Sequence, residues 1–214
     1  MTTKEQTFEN PVTHEQITFI TTGCDTDWMV LNIEFAIPPG SQPRLLAHFH
    51  QYFDERFEIL EGTARYKVGG VEHSAHAGDT LLLPKKVPHV HPWNVGQELL
   101  RFRKLTQLNM PQPQLLLASE MFFESLYALA QQHKVKSNGL PSSFLQTVML
   151  LQALEPSAYV MIAPPVIPLT VQAAAQRLIF GLLSAIGRAR GYQSCYIASP
   201  SREVPRPLEA APRS

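Results

Sequence analysis

The sequence predicts a mainly β domain of sandwich or barrel type followed by an α-helical extension. Three observations carry that prediction. Residues 12–106 break into short apolar or β-rich runs, separated by Gly, Pro and Asp at intervals of about 8–12 residues. Beyond Pro111 and Pro113 the apolar period becomes helical. The 214 residues include 18 prolines and only 11 glycines, so many elements end in rigid breaks.

The elements follow in order. Residues 17–20 form a short apolar run, and residues 28–37 (WMVLNIEFAI) an extended one stopped by Pro38-Pro39-Gly40. Residues 57–60 lead to Gly62, and residues 64–68 to Gly69-Gly70, a two-residue hairpin signal. Residues 80–83 follow the Gly78-Asp79 turn and stop at Pro84, and residues 99–105 (LLRFRKL) read as the last strand. Residues 114–133 lack Gly and Pro and carry Leu115, Met121, Phe122, Leu126, Tyr127 and Leu129 at near-helical spacing. Pro141 sits where a first-turn proline belongs and opens a helix over 142–154. Pro156, Pro164, Pro165 and Pro168 exclude a regular helix through the next stretch. Thr170 is the expected cap of a last helix, with Arg188 and Arg190 at its end and Gly191 just beyond. This reading assigns a β domain to residues 10–107, a helical extension to 111–192 and a mobile Pro/Arg tail to 193–214.

Composition excludes several function classes. Eighteen Lys+Arg balance eighteen Asp+Glu, so no global positive field draws the chain to nucleic acid. Two cysteines, Cys24 and Cys195, are too few for a disulfide framework or a Cys-built zinc site. The first residues, MTTKEQTFENPVTHEQ, contain no apolar leader, which makes a cytoplasmic location the expectation.

The chemistry-bearing residues are His48-Phe49-His50, Glu55 and His89. Histidines at i and i+2 of a strand share one face. Three imidazoles and one carboxylate brought together suit a divalent transition metal, Fe, Mn, Ni or Zn, at about 2.0–2.2 Å.

His48-Phe49-His50, four residues, Glu55, six residues and Gly62 resemble the first motif of the cupin family. Gly78, five residues, Pro84 and then His89 resemble its second motif. The resemblance covers roughly residues 12–106. It implies a jelly-roll β-barrel, the double-stranded β-helix, with His48, His50, Glu55 and His89 as metal ligands in its lumen. Asp54 is the competing carboxylate, but its parity relative to the matched Gly62 favours Glu55. Phe57, Tyr66, His91, Trp93 and Phe102 are the candidate substrate contacts. His73 and His76 belong to an outer hairpin and are expected in solvent; Glu34 and Arg101 are expected to face outward. Two positions depart from the family pattern. Lys86 stands where the turn usually has Gly, which suggests a different local turn, and Asn94 follows His89 by five residues rather than four.

Family members include dioxygenases, isomerases and decarboxylases, alongside others that only bind ligands. The resemblance thus implies a metal-binding protein acting on a small molecule, as an oxygenase or isomerase. The alternative is a non-catalytic binding or sensing module assembled through its helices.

Between residues 137 and 187 the only charged side chains are Glu155 and Arg177. That composition predicts packing against the β domain or across a homodimer burying at least ~1,000 Å². Leu145, Val148, Met149, Leu178, Leu182 and Ile186 would then be mostly buried. Contact with a membrane surface is the competing expectation. The prolines and the short apolar run 178–187 argue against a spanning helix. Gly139-Leu140-Pro141 and Ile186-Gly187-Arg188 with Gly191-Tyr192 resemble a tail found in some bacterial cupins, which implies no particular activity.

Overall fold

Strict alternation of apolar and polar residues builds the central strands. In β3 (Val30–Ile37) Leu31, Ile33, Phe35 and Ile37 point inward, and in β10 (Leu100–Gln107) so do Leu100, Phe102, Lys104 and Thr106. The computed structural model describes residues 5–196 apart from Pro43, Leu45 and Pro165. The residues assigned to the tail from 197 to 214 therefore lie outside the described ones. Residues 193–196, placed in the same tail, are anchored: Tyr196 Oη donates to Gln146 Oε1 at 2.6 Å and its N–H donates to Ser125 Oγ at 2.9 Å.

The other strands are β1 (Thr7–Glu9), β2 (Gln16–Thr21), β4 (His48–Phe49), β5 (Glu55–Glu61), β6 (Thr63–Val68), β7 (Val71–His76), β8 (Thr80–Leu83) and β9 (His89–Asn94). Three helices follow, α1 (Pro113–Gln131), α2 (Phe144–Leu154) and α3 (Leu169–Ala189), with a short β11 (Tyr159–Val160) before the last. One sheet runs β1-β2-β3-β10-β5-β8 and the other β11-β4-β9-β6-β7, and their pairs are antiparallel. The expected mainly β jelly roll with a helical extension is thus present. Among the described residues the two sheets are not hydrogen-bonded into a closed barrel. Short strands and prolines at 38, 39, 84, 88 and 92 remove the donors that closure would need.

One turn matches its motif and another corrects an expectation. Gly62 has φ +80°, and a Cβ there would stand 2.5 Å from the Leu99 carbonyl oxygen, so the motif glycine is needed for close backbone approach. Lys86 has φ +61°, so the turn keeps the left-handed conformation and the lysine carries the strain. Its N–H still donates to the His50 carbonyl at 2.7 Å. Lys86→Gly is therefore expected to stabilise the protein by about 1 kcal/mol, read as a raised midpoint in urea unfolding.

Helix caps differ from the sequence reading as well. Pro141 makes a β-bridge with Val135, and Ser143 caps α2 by accepting from the Gln146 N–H. Pro168, not Thr170, precedes α3. The far end matches expectation: Gly191 has φ +82°, and the Tyr192 and Gly191 N–H groups donate to the Gly187 and Arg188 carbonyls.

The main core fills the space between the sheets and extends under α1 through Leu115, Leu116, Phe123, Leu126 and Tyr127. The expected burial of the extension holds for Val148 and Met149, and Leu145 is half-buried. It fails within the chain for Leu178, Leu182 and Ile186, which are exposed because α3 turns its other face to α2.

Candidate metal centre

His48 and His50 straddle Phe49, so both rings leave the same side of the chain. Glu55 opens β5 and is fully buried, whereas Asp54 is exposed and accepts the Lys85 N–H at 2.8 Å. His89 opens β9 opposite His48 in register. His91, two residues on, shares the same face. One donor atom each from His48, His50, Glu55, His89 and His91 lies within 4.8 Å of all the others. Ligands on opposite sides of a common ion would be separated by about 4.0–4.4 Å, so small contractions suffice. The four residues read as metal ligands are brought together, and His91, read as a substrate contact, joins them.

Backbone contacts set the tautomers. His48 Nδ1 lies 2.9 Å from the Leu46 carbonyl, His50 Nδ1 2.7 Å from that of Ser157 and His89 Nδ1 2.9 Å from that of Val87. A carbonyl can only accept, so each Nδ1 carries the hydrogen and each neutral ring turns a bare Nε2 inward. The Nε2 atoms of His50 and His89 are buried with no hydrogen-bond partner. They face Glu55 at 3.1 Å and 3.5 Å, acceptor against acceptor, which is the arrangement a cation between them satisfies. Elsewhere in the cluster protonation is disfavoured. Burial, and then the neighbouring His89, His91 and His50, push the His48 imidazole well below its usual range. Burial also takes His91 down to about 4, against the pull of Glu55.

Lys104 went unassigned in the sequence reading. Its Nζ lies 2.7 Å from Glu55 Oε1 and 3.3 Å from Thr106 Oγ1, and it is nearly inaccessible. The alternation of LLRFRKL was the available signal, since Lys104 shares a parity with Phe102. Lys104 holds one carboxylate oxygen and leaves Oε2 toward His89 and His91, the latter 2.7 Å away.

A cavity of about 110 Å³ opens from this cluster. Its β wall includes His91, Trp93 and Phe102, three of the residues read as candidate substrate contacts. Phe57 does not line it. That ring is buried one layer deeper, 5.0 Å from His91 and 5.8 Å from Phe102 between centroids. Tyr66 does not line it either, because it pairs across the edge hairpin and stacks on His73 at 5.2 Å. His73 and His76 are exposed, and Glu34 lies outside with Arg101 and Arg103 as partners. Asn94 is buried at the rim, donating to the Ile37 and Glu98 carbonyls at 2.8 Å. The opposite wall comes from the extension, through Ser119, Phe122 and Phe123 of α1 and Ser157 and Val160 beyond α2.

Comparison with known proteins agrees with the motif reading. Residues 33–106, roughly a third of the chain, match the family model of the cupin domain. No curated protein matches the chain. Similar solved structures include the cupin domain of Schizosaccharomyces pombe Cnp3, at 13% identity and TM-score 0.36, covering 44% of this chain and 65% of that one. The chain therefore spans just under two thirds of that relative. A predicted oxalate decarboxylase from Thermotoga maritima has 20% identity and TM-score 0.42, covering 49% of this chain and 92% of the other. The polyketide cyclase RemF from Streptomyces resistomycificus has 21% identity and TM-score 0.37, covering 46% and 68%. Residues 33–106, in which the two motifs are assembled, are thus similar to a cupin domain, and a helical C-terminal extension follows them.

Proposed function

We propose that this protein binds a divalent transition metal, Fe, Mn, Ni or Zn, through His48, His50, Glu55 and His89 and acts on a small organic molecule in the adjoining cavity. The supporting observation is the pair of buried, unpartnered Nε2 atoms facing an ionised carboxylate. Bound metal would supply a Lewis acid for an anionic or enolisable ligand or, as iron, a centre for O₂ chemistry. The chain's residues do the rest. Lys104 steadies Glu55, and His91 holds a proton at Nε2 against Glu55 Oε2 on the cavity side. Phe35, Phe102, Phe122 and Phe123 exclude water from the ligand.

The mostly apolar lining favours an oxygenase over a sugar isomerase, whose substrate hydroxyls would need many polar partners. The second reading, a non-catalytic binding module, is favoured by how far α1 and the segment after α2 enclose the cavity. Elemental analysis of purified protein, then O₂ uptake by the iron-loaded form with catechols, thiols and flavonols, separates the two. O₂ consumption that stops on chelation supports the oxygenase; tight ligand binding without turnover supports the module. Failure to retain any of the four metals would sink both.

A further inference from the structure

Helix α3 is amphipathic in the inverted sense. Its buried face carries Gln172, Ala173, Gln176, Phe180, Ser184 and Gly187. Gln172 spends its amide on the preceding loop, accepting from the Ala163 N–H at 3.1 Å and donating to the Ile167 carbonyl at 2.9 Å. Gly187 seats against Met149 so closely that a Cβ would stand 2.5 Å from its sulfur. The outward face holds Val171, Leu178, Ile179, Leu182 and Ile186, each 46–67% exposed. Ala174, Ala185 and Ala189 are exposed on the same side. At 100° per residue these positions span an arc of about 140° with no polar side chain in it. The helix is long and apolar enough to cross a membrane by length and composition. Its inner face is already committed to α2, however, which leaves the outer one for contact. Exposed Ile162, Val166 and Ile167 lead into it.

Charge points to the occupant. From Pro156 to Tyr196 the chain has no Asp or Glu, and its only charged side chains are Arg177, Arg188 and Arg190. Arg177 is paired with Glu155, while Arg188 and Arg190 are exposed at the C-terminal end of the stripe. A cationic rim beside an apolar stripe matches an anionic headgroup layer over acyl chains. A second copy fits less well. A 21-residue helix offers a stripe of roughly 30 Å by 10 Å, well short of the ~800 Å² per partner of a stable dimer. We propose that the outer face of α3 lies in the plane of an anionic lipid surface and holds the cupin domain against it.

The test is flotation of the full-length protein with vesicles. Phosphatidylcholine vesicles containing about 30% phosphatidylserine should carry the protein at least about tenfold better than pure phosphatidylcholine. Leu178→Glu with Leu182→Glu should reduce that partition more than about tenfold, with circular dichroism and melting unchanged because both side chains are exposed. Should that variant not fold, Arg188→Gln with Arg190→Gln decides, with an expected loss of about tenfold. No flotation with anionic vesicles, or equal flotation with neutral ones, overturns the proposal. So does a stable dimer that does not float and that Leu178→Glu with Leu182→Glu converts to monomer.

Discussion

Glu55→Gln should raise the dissociation constant for the metal more than about a hundredfold, beyond the 10–100-fold typical of changes to outer partners of metal ligands. It should also destabilise the metal-free protein. Lys104 would be left buried without its anion, and an orphaned buried charge costs about 3–5 kcal/mol. The two effects separate in a double variant. Glu55→Gln with Lys104→Met should recover most of the stability but none of the metal affinity. Calorimetric metal titration and urea unfolding of the chelated protein read the two quantities. Equal metal affinity in wild type and Glu55→Gln would remove Glu55 from the ligand set. The carboxyl also gives a pH signature. Its burial favours the neutral acid, but His50 in its protonated form, Lys104 and His91 hold it well below the ordinary 4.5. The stability from this charge is therefore present above about pH 4.5 and is lost as pH falls through the lower folded value.

Arg44→Ala should cost about 3–5 kcal/mol and lower the melting temperature by roughly 6–20 °C. Arg44 Nη1 pairs with the buried Glu15 carboxylate, so its removal strands that charge. The same guanidinium meets the Tyr127 hydroxyl from α1 and lies where a Cβ on Gly139 would stand, 2.5 Å away. Burial, then Glu15, raises the Tyr127 hydroxyl pKa above its ordinary 10.0, so the phenol stays neutral there. One side chain thus ties the loop before β4 to the start of β2, to α1 and to the turn before α2. Arg44→Lys should recover part of the loss, since an ammonium keeps the charge beside Glu15 but lacks the guanidinium's fork of donors. A change under about 1 kcal/mol in thermal unfolding would show that Glu15 finds water instead.

The local parts of this architecture were legible in the sequence. The resemblance to the two cupin motifs pointed to His48, His50, Glu55 and His89, while period-2 parity alone groups only His48 with His50. The same parity puts Lys104 on the inward face of β10 with Phe102. The Ser157 carbonyl that orients His50 could not have been found that way. It lies 107 residues from its partner, on a backbone atom that leaves no mark in composition. The Lys86 turn misled because a side chain usually signals its backbone conformation, and here hydrogen bonding to His50 overrides that preference. The apolar composition of α3 reads the same whether aliphatics face inward or outward. Only the buried Gln172, Gln176 and Ser184 reveal the orientation.

The pairing of β11 with β4 has a consequence for the order of events as the chain is made. Tyr159 and Val160 lie in register with Phe49 and His48, and the Ser157 carbonyl receives the His50 ring. Every candidate ligand has been synthesised by residue 89, yet β4, which bears His48 and leads into His50, gains its outer neighbour some seventy residues later. A nascent chain halted after β10 would present the ligands on an unfinished edge, its His50 ring free to rotate. The final geometry of the candidate metal cluster is therefore complete only once residues 157–160 have been made.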